Sequence, residues 1–206
     1  MPRGIARDHA EKRTAIRKAA AAYFADYGFD RASMAGAARA AGVSKALIYH
    51  YWASKEDLLF DILEAHLARL AGVVDELGDD LTGPDRLRGL IRAILLNYRD
   101  ADHEHKLQID ALHTLPPEKQ APLIAHQRRL VAAMSAALQA AGPGALENGR
   151  LKPVTMSVFG ILNWFYMWHR PGAGMSREAY ADLVADFVEG GLKGLADTKA
   201  DQAKAP

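Results

Sequence analysis

The fold follows from the stretch at residues 33–58, which reads SMAGAARAAGVSKALIYHYWASKEDL. Two serines in it, Ser33 and Ser44, each stand directly before a short run of apolar residues at helical spacing, the position that an N-cap takes. Gly42 separates the two runs, and its missing side chain permits a left-handed turn. Residues 54–57 read Ser-Lys-Glu-Asp, a capping box that predicts the start of a long helix. The stretch therefore predicts two short helices joined by a tight turn and followed by a long helix.

A further helix is predicted just before this stretch. Its apolar face carries Ile16, Phe24 and Tyr27 at helical spacing, and Gly28 ends it. A bracing helix followed by two short helices and a tight turn is typical of a helix-turn-helix. Such a motif brings its second short helix within reach of a DNA major groove.

Charge is distributed unevenly along the chain. Residues 1–55 carry a formal charge of +6 and the remaining residues carry −5, which gives the net charge of +1. A basic N-terminal part on an acidic remainder suits a protein that touches a polyanion at one end only. A solvated charged helix is the alternative explanation of such a cluster.

Several protein classes are excluded by what the sequence lacks. It contains no cysteine, so disulfides, thiolate metal sites and a cysteine nucleophile are ruled out. No run approaches the roughly 18 apolar residues of a membrane-spanning helix, and the first residues show no signal segment, so we expect a cytoplasmic protein without a membrane partner. Paired carboxylates and a nucleophile elbow are also missing, so we expect neither an enzyme nor a cofactor. No metal site is expected, because His103 and His105 would point to different faces of a helix.

Helical periodicity continues through the rest of the chain, and alternating strand patterns are absent. We therefore predict an all-α fold of about nine helices, in which a three-helix helix-turn-helix domain is joined by a long helix to a helical ligand-binding and dimerisation domain. The predicted domains are residues 1–53 and 54–198, followed by a flexible tail at 199–206. Beyond the long helix, helical segments are predicted near residues 84–100, 102–114, 118–141, 153–170 and 176–196.

The stretch at residues 33–58 resembles the DNA-binding signature of the TetR (tetracycline-repressor) family in its cap, its Ala-Gly-Val-Ser turn, its aromatic run and its Ser-Lys-Glu. The resemblance implies a homodimeric regulator, most simply a repressor that leaves a palindromic operator when a small molecule binds. Two positions depart from the family pattern. Ala37 stands where relatives have a larger aliphatic residue, and Leu47 stands where a small polar residue is common.

The candidate DNA contacts come from the residues and from this resemblance. Lys45 and His50 can donate to base edges or phosphates, and Leu47 either meets a thymine methyl group or packs. The resemblance implies that Tyr49 and Lys55 bind phosphates, and the basic first helix adds affinity without reading sequence. The predicted DNA-binding set is Ser33, Ser44, Lys45, Ala46, Leu47, Tyr49, His50, Lys55, Arg13 and Arg17.

Aromatic residues concentrate at residues 163–170, which read NWFYMWHR. A helix this apolar on all sides meets a partner subunit and lines a cavity, or it lies in plain core. The run also resembles that of TetR-type repressors that respond to CoA thioesters, which implies tryptophans beside an acyl group and Arg170 at a phosphate or carboxylate. The predicted ligand-binding set is Asn163, Trp164, Phe165, Tyr166, Met167, Trp168, His113 and Arg170.

The last two long helices are predicted to form the dimer interface. Packed against the same pair from a twofold mate, they would make a four-helix bundle. Three alternatives stay open: an activator, a helical interaction protein without DNA affinity, and an enzyme that uses the aromatic pocket. The predicted interface set is Phe159, Val184, Phe187, Val188 and Leu192.

Overall fold

A computed structural model describes the backbone at residues 2–78, 80–170 and 172–202. Within these ranges the chain forms nine α-helices and no strand, which confirms the predicted all-α fold. A short 3-10 turn at Leu112–Thr114 follows the sixth helix. The helices are α1 (Pro2–Tyr27), α2 (Met34–Ala40), α3 (Lys45–Tyr51), α4 (Lys55–Glu76), α5 (Gly83–Asn97), α6 (Asp102–Asp110), α7 (Pro117–Ala141), α8 (Leu151–Trp168) and α9 (Arg177–Gln202).

The two short helices begin at the predicted caps. The Ser33 hydroxyl accepts a hydrogen bond from the backbone N–H of Gly36 at 3.1 Å, and the Ser44 hydroxyl accepts one from Leu47 at the same distance. Between α2 and α3, Gly42 has a φ of +65°, the left-handed conformation that the tight turn requires. The helix-turn-helix predicted from this stretch is therefore confirmed at α2 and α3.

Helix α2 lies very close to α1. A Cβ atom added at Gly36 would overlap the hydroxyl group of Tyr23 and lie 2.9 Å from the Cε1 atom of its ring. Tyr23 in turn stacks on Tyr27, one helical turn later, with ring centroids 5.5 Å apart. Only a residue without a side chain allows this approach, so Gly36 sets how closely α2 packs on the bracing helix.

Helix α4 begins with the predicted capping box. The backbone N–H of Asp57 donates to the Ser54 hydroxyl at 3.0 Å, and this hydroxyl donates to the Asp57 carboxylate at 2.7 Å. Lys119 of α7 also donates to that carboxylate. The hydrogen bonds from Lys119 and Ser54 lower the pKa of Asp57, so a negative charge stays at the N-terminus of α4, where the helix dipole favours it.

The chain divides into two compact units. The first contains the described residues up to Ala68 together with Ala101–Ile124, and the second contains Arg69–Asp100 and the described residues from Ala125 onward. This division differs from the predicted domains 1–53 and 54–198, because α6 packs against α1 and so a later segment joins the N-terminal unit. Helix α9 reaches Gln202, so the predicted tail is helical at 199–202, and residues 203–206 lie outside the described residues.

Each unit has its own apolar core. In the first unit Phe24, Ile48 and Leu58 are fully buried. In the second unit Leu87 and Ile91 of α5 are fully buried, and α5 packs along α9. In the part of the chain that the structure describes, no helix combines the length and the apolarity needed to cross a bilayer.

Ion pairs accompany the packing of α5 against α9. Arg88 lies 2.6 Å from Asp186 and 2.9 Å from Glu189, and Arg92 lies 3.1 Å from Asp182. Each of these pairs is partly exposed and contributes little to stability on its own. Their periodic placement instead fixes which turns of the two helices lie side by side.

Candidate nucleic-acid interface

Helix α3 divides its side chains between the core and solvent. Ile48 is fully buried and Trp52, directly after the helix, is 4% exposed, so these two residues anchor the helix. Lys45, Tyr49 and His50 are exposed. The Lys45 ammonium lies 5.8 Å from the centre of the Tyr49 ring, a cation–π arrangement. The outer face of α3 therefore offers a cation, a hydroxyl and an imidazole together, all of which can bind phosphates or base edges.

The remaining predicted contacts of the helix-turn-helix lie beside this face. Ala46 is exposed and Leu47 is half-buried. Ser33 and Ser44 are exposed at the N-termini of α2 and α3, where each hydroxyl oxygen accepts a backbone hydrogen bond. The hydroxyl proton of each serine is still available, so both can donate to a phosphate while they cap their helices.

Lys55 is held inside the first unit. Its ammonium donates to the backbone carbonyls of Phe29 at 2.9 Å and Asp30 at 3.4 Å, and it lies 4.4 Å from the centre of the Phe29 ring. An ammonium group has three donors, so one of them remains for a phosphate. The predicted phosphate contact stays a prediction. The structure adds a second role, in which Lys55 joins the start of α4 to the turn between α1 and α2.

Arg13 and Arg17 are turned toward a carboxylate on α4. Arg13 donates to Oδ1 of Asp61 at 2.9 Å, and the Arg17 guanidinium lies 3.8 Å from the same oxygen. The Trp52 indole donates to Oδ2 of Asp61 at 3.0 Å. These contacts join α1 to α4 and offset part of the positive charge predicted for this surface. Sequence reasoning missed Asp61, although an acidic residue among the apolar positions of α4 is a signal for such a partner.

The aromatic run on α8 is divided between the interior and the surface. Phe165 is 1% exposed, whereas Trp164 is 61% exposed and Trp168 is 49% exposed. Met167 is also exposed, and Tyr166 is half-buried. The predicted ligand-binding residues therefore do not share one face of α8, and their role stays a prediction.

Asn163 faces the interior of the second unit. The Tyr98 hydroxyl donates to the side-chain oxygen of Asn163 at 2.8 Å. Burial raises the pKa of the Tyr98 phenol, so this group stays a neutral donor. Sequence reasoning missed Tyr98, because a single tyrosine at the end of α5 carries no motif.

Phe165 is the centre of an aromatic cluster that joins α8 to α9. Its ring stacks on His169 and on Tyr180, with centroids 4.4 Å and 4.7 Å away. The Arg177 guanidinium lies 4.8 Å from the centre of the same ring and donates to the Leu95 carbonyl at 3.3 Å. These contacts favour the core alternative for Phe165.

Two further residues of the predicted ligand-binding set lie in different compact units. His113 is exposed and lines a groove of about 380 Å³ in the first unit, beside the end of α1 and α6. Lys106 lines the same groove and donates to the Ala25 carbonyl, which caps the C-terminal end of α1. Arg170 is exposed in the second unit, and its guanidinium donates to the His169 carbonyl at 3.1 Å.

The predicted dimer interface requires a correction. Val184, Val188 and Leu192 are 3%, 7% and 4% exposed, because α9 packs along α5 within the same chain. Phe159 of α8 is buried as well. Of the five predicted interface residues, Phe187 alone is available to a second subunit, at 70% exposed. Periodicity identified the apolar positions of α9 but could not tell which of them α5 covers.

Other apolar residues of α8 and α9 are exposed, and we call this set the α8–α9 stripe. It consists of Met156 and Trp164 on α8 and of Leu183 and Phe187 on α9, which are 51%, 61%, 49% and 70% exposed. Gly160 lies one turn from Met156 and from Trp164, and a Cβ atom added there would meet no heavy atom within 4 Å in the described chain. Exposed aromatic residues on a helical surface are typical of a protein interface.

A buried histidine pair lies in the first unit. His66 of α4 and His105 of α6 are 3% and 1% exposed, with ring centroids 6.0 Å apart. His103 is exposed, so His103 and His105 point to different sides of α6, as the sequence predicts. Among the described residues, no group of three or more side chains is arranged to hold a metal ion.

Two family models match the chain. The model described as "Bacterial regulatory proteins, tetR family" matches residues 16–62. The model described as "Tetracyclin repressor-like, C-terminal domain" matches residues 80–192, which is more than half of the chain.

Known proteins resemble the chain in sequence and in structure. An uncharacterized HTH-type transcriptional regulator of Mycobacterium bovis is 34% identical over 93 residues, which cover 41% of this chain and 49% of that protein. The match thus spans about half the length of that curated relative. A TetR-family transcriptional regulator of Bordetella parapertussis superimposes with a TM-score of 0.80 at 31% identity, over 85% of this chain and 93% of the other. AibR in complex with isovaleryl coenzyme A and operator DNA superimposes with a TM-score of 0.72 at 26% identity, over 87% and 96%.

Proposed function

Because the chain belongs to the TetR family of bacterial regulatory proteins, we propose that it is a DNA-binding transcriptional regulator whose α3 enters the major groove of an operator. The observation that carries this proposal is the outer face of α3, where Lys45, Tyr49 and His50 are exposed while Ile48 holds the helix to the core. Lys45 and His50 bind base edges or phosphates, and Tyr49 binds a phosphate. A regulator of bacterial genes acts in the cytoplasm, where we place this protein.

The regulator acts as a homodimer held together by the α8–α9 stripe. A twofold dimer presents two α3 helices to the half-sites of a palindromic operator, about 34–36 Å apart. A single helix-turn-helix buries too little surface for tight specific binding, so the second copy is needed. Trp164 and Phe187 are the expected anchors, because large aromatic side chains dominate the energetics of protein interfaces.

A small molecule releases the dimer from DNA. The structure of AibR contains isovaleryl coenzyme A and operator DNA, which supports a CoA thioester as the ligand class. A ligand acts only through its preference for the state that does not bind DNA, and a coupling of about 1–3 kcal/mol is typical. Repression is favoured over activation because the C-terminal match is to a tetracyclin repressor-like domain.

The test of DNA binding is fluorescence anisotropy with a labelled duplex at increasing salt concentration. Phosphate contacts make the affinity fall steeply with salt, with a logarithmic slope of about −0.9 for each contact. Replacing both Lys45 and Tyr49 by Ala should weaken binding about tenfold or more, since each contact contributes about 1 kcal/mol.

The matched control is Lys152→Ala, because Lys152 is an exposed lysine of α8 in the second compact unit, outside the helix-turn-helix. This variant should bind nearly as well as the wild type. Unchanged binding by the Lys45→Ala, Tyr49→Ala double variant would contradict the proposed function.

A further inference from the structure

The first helix contributes a side chain to the surface formed by α3. His9 of α1 is exposed, and its Nδ1 atom lies 3.0 Å from the hydroxyl oxygen of Tyr51, the last residue of α3. The two rings meet edge to face, with centroids 6.3 Å apart. A hydrogen bond thus connects residues 42 positions apart in the sequence and joins the N-terminal half of α1 to α3.

Tyr51 also contacts a residue that faces DNA in the proposed complex. The His50 ring packs edge to face against the Tyr51 ring, with centroids 5.5 Å apart. Tyr51 itself is half-buried, and its ring lies 5.4 Å from that of the buried Trp52. Tyr51 therefore packs on the buried Trp52 and contacts two exposed histidines, His9 and His50.

We propose that His9 is a phosphate contact of the DNA complex, positioned by Tyr51, and that protonation of its imidazole strengthens duplex binding. The proposal rests on the proposed function and extends the DNA surface from α3 onto α1. A neutral imidazole that carries its proton on Nε2 accepts the Tyr51 O–H at Nδ1, whereas in an imidazolium Nδ1–H donates to the Tyr51 oxygen. The hydrogen bond to Tyr51 survives in both forms, and the imidazolium also presents Nε2–H as a donor to a phosphate oxygen.

The charges around His9 favour an anion. On α1, Lys12 and Arg13 follow His9 by three and four residues, which places them on neighbouring turns of the helix. On α3 the ionisable residue in contact with His9 is Tyr51, and on α4 the Asp61 carboxylate is paired with Arg13 at 2.9 Å. Lys12 thus adds a positive charge on the side of α1 that His9 occupies, which suits a phosphate, whereas Glu11, two residues after His9, lies on a different side of the helix.

The direction of the pH dependence follows from the charge of the partner. Histidine side chains ordinarily gain or lose their proton between about pH 5 and pH 8. A phosphate stabilises the protonated form, so duplex binding takes up a proton and becomes weaker as the pH rises through this range. The additional ionic contact also makes the affinity more sensitive to salt at low pH than at high pH.

The experiment measures the affinity of the full chain for a labelled random-sequence duplex over a salt series, at about pH 6 and about pH 8. His9→Gln should lower the logarithmic salt slope by about 0.9 at the lower pH and leave it unchanged at the higher pH. Tyr51→Phe keeps the ring and removes the hydroxyl, so it should give part of the same loss. His50→Gln leaves His9 in place, so the part of the slope difference between the two pH values that His9 causes should remain in this variant.

The matched control is His103→Gln, because His103 is an exposed histidine of α6. This control should keep the wild-type slope at both pH values. Equal slopes for His9→Gln and the wild type at the lower pH would overturn the assignment of His9 and leave the proposed function standing. Duplex binding by the wild type that does not depend on salt would overturn the proposed function and this inference together.

Discussion

The buried Tyr98 hydroxyl contributes one hydrogen bond to the second unit, because it donates to Asn163 at 2.8 Å. Replacing Tyr98 by Phe should lower the free energy of unfolding by about 1–2 kcal/mol near neutral pH, since the hydrogen bond is lost and the ring packing is kept. Tyr27→Phe is the control, because Tyr27 is 55% exposed and its hydroxyl should contribute little.

The same hydroxyl makes the stability of the protein depend on alkaline pH. Burial raises the pKa of Tyr98 above the value of 10.0 that a free tyrosine has. The unfolded chain therefore loses this proton before the folded chain does, and the contribution of Tyr98 to stability is complete below about pH 10 and falls above it. Urea unfolding should show a difference between the wild type and Tyr98→Phe that shrinks above about pH 10. A difference that stays constant through this range would contradict the burial of the phenol.

On the scale of elements, α9 carries two apolar faces with different partners. Val188 lies on the face that is buried within the chain, and Phe187 lies on the exposed α8–α9 stripe. Phe187→Arg should convert the proposed dimer to a monomer in light scattering while leaving the helical circular dichroism signal in place. Val188→Ala should lower the free energy of unfolding by about 2 kcal/mol and leave the oligomeric state unchanged. The prediction fails if Phe187→Arg remains a dimer.

These elements also show how far the sequence predicts the structure. The starts of α2, α3 and α4 were predictable because a serine cap acts on residues only three positions away. Lys55 could not be assigned in the same way, since its ammonium reaches the carbonyl of Phe29, 26 residues earlier in the chain. The burial of Val184 was missed for a related reason, because helical spacing reveals an apolar face and not the element that covers it.

On the scale of the whole molecule, the sensing of a ligand is a coupling between two binding events. Isovaleryl coenzyme A is the first probe, because AibR binds it, and isovalerate is the matched control without the nucleotide part. If the thioester weakens duplex binding about tenfold, a saturating duplex must weaken thioester binding by the same factor. Anisotropy of labelled DNA measures the affinity for the duplex with and without the thioester, and calorimetry measures the affinity for the thioester with and without the duplex. Unchanged duplex binding at a saturating concentration of the thioester would contradict a CoA thioester as the ligand class.

The close approach of α2 to Tyr23 at Gly36 has a consequence for engineering this protein. Replacing glycine by alanine inside a helix usually raises stability by about 1 kcal/mol, and Gly72 of α4 is suited to this change because a methyl group there meets nothing within 4 Å in the described chain. At Gly36 the same replacement would push α2 away from Tyr23 of α1 and so shift the helix-turn-helix. A thermostabilisation strategy based on helix propensity alone would therefore succeed at Gly72, whereas at Gly36 it would impair DNA binding.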